Sequence, residues 1–589
     1  MTLHVENAYS RSLILSSQGE MSTVDELVIN RFWIKSYPED IRPDVEVPEK
    51  GYHELFLESA EKRSNKVAVI FAGSEFTYGQ ILDSALRVAG YLRSIGVREG
   101  DRVSLVLPNS PQFIAAYFGT LMTGAAVVPI NPLYKAGEIS YMLGKSRAKA
   151  VFTLDLFHDE VLKAVEGTSV EKVIVSNIAD HLPPAKRILG KLLRKVPSKP
   201  VKRDVMVESY RRVLSSRPIS KDEVARVDPA STPAAICFTS GTTGLPKGAV
   251  LTHRNLVANI HQSYEVAKTV LSEDETVLAV LPFFHIYGQT AIMGISLSFG
   301  FKMVVLPRPN VDEILDLIER YRITIIFGVP ALYNAMISSP RFRKEIFSHI
   351  KLCVSGADKL HVEIAKRFES ATGIRITEGY GLTETSPVTH LNPPKKVKLG
   401  SIGLPVPSTM AWVFKLDANV PVGVGQEGEL AISGPQVMDG YLEDPDANRA
   451  AFFTLFGRRW FRTGDIAKVD EEGYFYIIER KKDLIKYKGW SIYPAEVENV
   501  VLKHEAVQAV GVVGVPDVEV GERVVMFVVL KPEYRGKVKE EDLMEWCKQN
   551  LAPFQVPHRI FFKEELPVSM TGKVLRRVLR EEAASLLKS

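Results

Sequence analysis

Residues 234–253, AAICFTSGTTGLPKGAVLTH, gather small and hydroxylic side chains ahead of one lysine. A strand-like apolar run (AAICF) leads into Thr239, Ser240, Gly241, Thr242, Thr243 and Gly244, and Lys247 follows before a helix-like stretch. Glycines let successive backbone N–H groups turn toward one point, hydroxyls add donors and a lysine adds charge, so the loop suits phosphate oxygens. It is not a Walker loop, because Lys247 precedes Gly248 instead of preceding Ser or Thr. Other residues gain interest only in company. His285, within PFFHIYG, reads alone as a satisfied core histidine. Lys573 reads alone as a surface lysine opening the amphipathic run VLRRVLREEAASLL, and TGD at 463–465 as a turn signal.

Seven segments in order change that reading: TSGTTGLPKG at 239–248, PFFHIYG at 282–288, SGADKL at 355–360, EGYGLTET at 378–385, WFRTGDI at 460–466, ERKKDLIKYKGW at 479–490 and TGKVLRR at 571–577. Together they resemble the adenylate-forming superfamily of acyl-CoA synthetases, aryl-CoA ligases, firefly-type luciferases and peptide-synthetase adenylation domains, from about residue 52 to the C-terminus. The resemblance implies that a carboxylic acid and ATP, with Mg2+, form an acyl-adenylate, and that a thiol then takes the acyl group. Carried over by position, it implies that residues 239–244 and Lys247 hold phosphates. Glu378, Gly379 and Tyr380 would face adenine, and Thr383 the phosphates. Glu384 and Thr239 would hold Mg2+ through hard oxygens. Gly356 and Ala357 would flank the nucleotide and the acyl entrance. Asp465 would take the ribose hydroxyls, supported by Arg480.

For the acid, the resemblance implies an acyl pocket lined by Phe284, His285, Tyr287 and Gln289, with His285 helping to orient the carboxylate. Lys573 would bridge that carboxylate and the α-phosphate in the first half-reaction. The second would follow a swing of the C-terminal domain about Lys482, with Lys486 serving the thiol step and Lys488, Gly489 and Trp490 lining the coenzyme A tunnel. Two positions depart from the family pattern. Asp358 and Lys359 stand where small residues or proline are usual, and Gln289 stands where some long-chain enzymes carry an aromatic gate.

The passage RTGDI…IIERKKDLIKYKGWSIYPAEVE is similar to long-chain fatty acyl-CoA synthetases, and FWIKSYPEDI and HLPPAKRILGKLLRKVPSK to bacterial members of that group. A medium- to long-chain fatty acid and coenzyme A are therefore the expected substrates, with no fused carrier domain after TGKVLRR. An aryl acid of the coumarate type is the enzymatic alternative, and a nucleotide-binding module without turnover the non-enzymatic one. Thr239, Lys247, Glu384, Asp465 and Lys573 occurring together argue against the latter.

These groups need a scaffold. Residues 78–95 have helical spacing closing on Gly96, 102–107 read as a strand, 112–122 as a helix and 125–130 as a strand. The same rhythm recurs through 260–328, giving an α/β protein with largely parallel sheets. The expected organisation is an N-terminal tail and lead-in (1–50) and a large adenylation domain of αβα layers (51–480). That domain carries a β-rich subdomain at about 395–480, and a mobile α+β C-terminal domain (481–589) follows.

Length alone implies more than one core. A net charge of +4 over 589 residues gives no support to a nucleic-acid partner. Cys237, Cys353 and Cys547 form no CxxC pair, so small buried thiols in a reducing cytoplasm are expected. The first twenty residues lack signal-peptide order. Residues 277–301, free of charged side chains, contain Pro282, His285 and Gln289, which favour a buried strand and loop over a membrane span. Residues 181–203 hold no acid and eight basic residues, from Lys186 to Arg203, with leucines at helical spacing. This segment is a candidate for peripheral contact with an anionic membrane, the alternative being a solvated surface excursion.

Overall fold

The computed structural model describes residues 23–178, 180, 198–201, 205–239, 245–488, 490–517, 519–568 and 574–587. Residues 240–244, Gly489, Lys573 and most of the basic segment 186–203 lie outside them, as does the N-terminal tail. Two compact units emerge, one of residues 33–410 and 433–452, the other of residues 411–432 and 453–589 together with the N-terminal residues up to Phe32.

The first unit carries two large sheets. In one, strands Ile376–Gly381, Leu352–Ser355, Ile325–Gly328, Thr276–Ala279, Lys302–Val305 and Val67–Phe71 run parallel in that order. In the other, Pro233–Thr239, Ala126–Pro129, Arg102–Val106, Ala150–Leu154, Lys172–Ser176 and Val207–Ser209 do the same. Antiparallel strands close the edges. Near-continuous burial along Arg102–Val106 and Ala150–Leu154 is what parallel strands covered on both faces require. The expected helix at 78–95 spans Tyr78–Ser94, where the Thr77 side chain caps the Gln80 N–H and Gly96 closes with φ +82°. The parallel α/β architecture read from the sequence is borne out.

Residues 277–301 differ from expectation. Strand Thr276–Ala279 is present, but it is followed by a wide π-helical turn, Gly288–Gly294, and the helix Ile295–Phe299. An apolar run of this kind has no period that separates helix from loop. Among the described residues no helix is long and apolar enough to cross a membrane.

The second unit holds a sheet of Met410–Phe414, Gly428–Ser433, Arg458–Val469 and Phe452–Leu455, with Phe475–Arg480 paired to Arg458–Val469. After the single turn Lys481–Asp483 comes a second sheet, of Ile485–Tyr487, Trp490–Ile492, Val507–Asp517, Gly521–Leu530 and Arg559–Phe562. Helices Pro494–Val501 and Arg576–Leu586 pack on it, with Val512, Met526, Val528, Leu543 and Cys547 in its apolar core. All three cysteines are buried and free.

Candidate active site

In the first unit the candidate residues sit at the carboxyl ends of parallel strands, where open α/β sheets bind ligands. Strands Pro233–Thr239 and Lys247–Thr252, the second a strand where the sequence suggested a helix, form an antiparallel pair in which Thr239 faces Lys247 across the register. The Lys247 ammonium lies 5.2 Å from the centre of the Tyr441 ring. The Tyr441 hydroxyl donates to Glu384 Oε1 at 2.9 Å, and the Met438 N–H donates to the Glu384 carbonyl at 2.8 Å. One aromatic residue thus joins the loop lysine to the expected metal carboxylate. Thr383 and Glu384 form a single 3-10 turn directly after the strand carrying Glu378, Gly379 and Tyr380.

Glu378 is buried and accepts the Leu360 N–H at 3.1 Å. Desolvation raises its carboxyl to about 8, so it is protonated at neutral pH. The Tyr380 ring lies edge-on to His390 at 6.0 Å, and burial pulls that imidazole down to about 3. Gly356 ends its strand beside Tyr287: a side chain there would begin 3.2 Å from the Tyr287 ring. Ala357, next along, has φ +67°.

The residues expected to line the acyl pocket lie on a tightly folded turn. Gly288 packs against the Pro282 carbonyl so closely that a Cβ would sit 2.3 Å from its oxygen, which explains glycine there. His285 Nδ1 accepts the Tyr287 N–H at 3.2 Å, and desolvation pulls the imidazole down to about 4, leaving it neutral. Gln289 is fully buried; it accepts the Tyr117 hydroxyl at 3.1 Å and donates to the Phe284 carbonyl at 3.3 Å. Cys237 touches the same amide, and burial pushes its thiol up to about 12. Asn109, in the connection that follows strand Arg102–Val106 of the other sheet, fixes this loop: it donates to the Ala279 and Leu281 carbonyls at 3.3 and 2.9 Å and accepts the Phe283 N–H at 2.7 Å.

In the second unit, Asp465 is 1 % exposed and faces Arg480 across the strand pair, their side chains 2.7 Å apart. The turn Lys481–Asp483 is tied in opposite directions at its two ends. Lys481 pairs with Asp417 at 2.8 Å and Glu429 at 3.2 Å, both before the turn. Asp483 faces Arg576 at 3.6 Å and Arg580 at 3.8 Å, both after it. Lys482, between them, is exposed. Lys486 is exposed on the following strand, where its N–H donates to Glu522 at 2.7 Å, and Lys488 has φ +46° with its ammonium 5.8 Å from the Tyr487 ring.

Tyr441, Tyr117 and Asn109 were not among the expected site residues. Tyr441 lies on a two-residue strand, Gly440–Tyr441, too short to leave a periodic signal.

The sequence pattern of AMP-binding enzymes matches residues 56–442, and that of the AMP-binding enzyme C-terminal domain matches residues 496–573. The chain belongs to the AMP-binding enzyme family. Among its relatives in that family, the long-chain-fatty-acid–CoA ligase of Bacillus subtilis (strain 168) is 38% identical over 552 residues, covering 93% of this chain and 98% of that protein. The ligase of the same name from Escherichia coli O157:H7 is 36% identical over 566 residues, covering 94% and 99%. A probable 4-coumarate–CoA ligase of Dictyostelium discoideum is 32% identical over 549 residues, covering 92% and 96%. Among solved AMP-binding enzymes, ATP-bound MatB from Rhodopseudomonas palustris superposes with a TM-score of 0.76 at 28% identity, covering 91% of this chain and 99% of that one. A long-chain-fatty-acid–CoA ligase (FadD1) from Archaeoglobus fulgidus superposes with a TM-score of 0.65 at 27% identity, covering 88% and 98%. The resemblance read from the seven motifs is borne out over both parts of the chain.

Proposed function

We propose that this protein is an ATP-dependent acyl-CoA ligase that converts a medium- to long-chain fatty acid to its coenzyme A thioester through an acyl-adenylate, releasing AMP and pyrophosphate. The observation that carries the reading is the Lys247–Tyr441–Glu384 contact: a cation and a hard anion, held by one aromatic residue, beside a loop rich in phosphate donors. The length and identity of the match to two long-chain-fatty-acid–CoA ligases support the substrate class.

A carboxylate is a poor electrophile, and its charge repels the α-phosphate. In the first half-reaction a carboxylate oxygen attacks the α-phosphorus, and the bond from that phosphorus to the bridging oxygen breaks with pyrophosphate leaving. Fixed positive charge lowers this barrier where negative charge accumulates. Lys247 and Lys573 supply it. His285 is neutral at physiological pH, so it orients the carboxylate by hydrogen bonding and leaves charge neutralisation to the lysines. Glu384 and the Thr239 hydroxyl would hold Mg2+ as hard oxygen donors, and a bound ion would supply charge neutralisation at the phosphates. Asp465, held by Arg480, receives the ribose hydroxyls.

In the second half-reaction the thiol sulfur of coenzyme A attacks the acyl carbon, the bond to AMP breaks, and the thiol proton passes to solvent. Lys486 and residues 488–490 serve this step after the C-terminal domain turns about Lys482. The Cys237 thiol, buried and held neutral, takes no part as a nucleophile.

Hydroxamate trapping of the adenylate with saturated acids of graded length and with coumarate tests the reading. Turnover peaking among medium to long chains is expected, and turnover of aryl acids alone would overturn the lipid assignment. The aryl reading stays in the test because of the coumarate-type relative. Lys573→Ala is expected to abolish ATP–pyrophosphate exchange while sparing thioester formation from preformed acyl-adenylate. Equal loss of both steps would remove Lys573 from its role. Membrane contact through 186–203 is tested by pelleting with anionic vesicles.

A further inference from the structure

We propose that Arg576 is a latch across the Lys481–Asp483 turn, a positioning residue whose pairing with Glu479 holds the C-terminal lobe in one of its two working orientations. The inference rests on the ligase reading, with Lys482 as the pivot. Arg576 opens the helix Arg576–Leu586 and donates to Glu479 at 3.0 Å and to Glu498 at 2.6 Å, with Asp483 at 3.6 Å. Its side chain is 17% exposed and that of Glu479 only 4%. These acids lie on opposite sides of the pivot. Glu479 is on the strand Phe475–Arg480, which precedes the turn, whereas Asp483 and Glu498 follow it.

A rotation about Lys482 would carry Arg576, Asp483 and Glu498 together and leave Glu479 behind. Two further contacts to acids before the turn would part with it: the Ala495 N–H to Glu479 at 2.9 Å and the Tyr493 hydroxyl to Glu427 at 3.0 Å. Breaking a buried ion pair is normally costly because an unpaired charge is left behind. Here both charges have somewhere to go. Arg576 keeps two carboxylates that travel with it, and Glu479 emerges into water. One guanidinium facing three carboxylates is therefore an arrangement that can release one partner and keep the rest. The planar fork of arginine, which binds Glu479 and Glu498 through different nitrogens, makes the double hold possible.

The test uses the full-length protein. Glu479→Gln removes the charge across the pivot while its amide oxygen can still accept the Ala495 N–H. Pyrophosphate exchange with palmitate and thioester formation from preformed palmitoyl-adenylate are measured separately, with thermal melting as the control for folding. The expected result is at least a fivefold change in the ratio of the two rates, with the melting temperature nearly unchanged. Arg576→Lys, which keeps the charge but loses the fork, is expected to move the ratio in the same direction. Equal scaling of both rates, or an unchanged ratio in a folded variant, would overturn the latch. A wild-type protein with neither half-reaction would instead overturn the ligase reading itself.

Discussion

Around Glu378, His285 and Cys237, in the first unit, burial decides protonation: an acid raised to about 8, an imidazole lowered to about 4 and a thiol raised to about 12 are all neutral at pH 7. Around Asp465, Lys481 and Arg576, in the second, acidic and basic side chains are paired, at 2.7, 2.8 and 2.6 Å. The difference follows what each part is asked to do. A floor that shields a mixed anhydride from water gains from neutral, fixed, desolvated groups. Under the proposed turn about Lys482, ion pairs suit the moving lobe, since the pair across the pivot, Arg576 with Glu479, can part into water.

The contrast can be broken at both ends. The largest effect is expected at Glu384, the expected metal carboxylate. Glu384→Ala should lower pyrophosphate exchange by about 10²–10³-fold and spare thioester formation from preformed adenylate. Measuring each half-reaction checks this, and a small effect would mean that Glu384 does not act on the phosphates. Next is Arg480→Ala, which removes the guanidinium 2.7 Å from the buried Asp465 carboxylate. A loss on the order of 3 kcal/mol is expected, read by denaturant unfolding, with a raised KM for ATP.

The smallest effect concerns Glu378 and tests the role of burial. Its folded value of about 8 exceeds the ordinary 4.5, so between those values the folded chain holds a proton that the unfolded chain has lost. Stability from this group is therefore full below about 4.5 and falls as pH rises toward 8. Glu378→Gln should change stability least near pH 5 and raise it, relative to the unaltered protein, by progressively more as the pH climbs toward 8. Parallel stability–pH curves for the two proteins would count against a neutral Glu378.

Most of the scaffold was legible because its signals are local. The helix Tyr78–Ser94 shows its period and its cap, and the strands Arg102–Val106 and Ala126–Pro129 are short apolar runs. Loop 239–248 declares phosphate chemistry through residue types alone. What escaped depends on partners distant in the chain. Tyr441 matters through Glu384, 57 residues away. The Gln289 amide is bonded to Tyr117, 172 residues away. The turn at 288–294 escaped because its apolar residues carry no distinguishing period. The Arg576 cluster escaped because each member reads alone as an ordinary surface charge.

Asn109 grips the loop before His285 through main-chain atoms only, the carbonyls of residues 279 and 281 and the N–H of residue 283. Such an anchor dictates the path of the chain and is indifferent to the side chains threaded along it. Selection can therefore rewrite the side chains that follow without disturbing how the two sheets are joined, so, under the proposed acyl role, one architecture can be retuned from one acid to another by changes confined to a few positions.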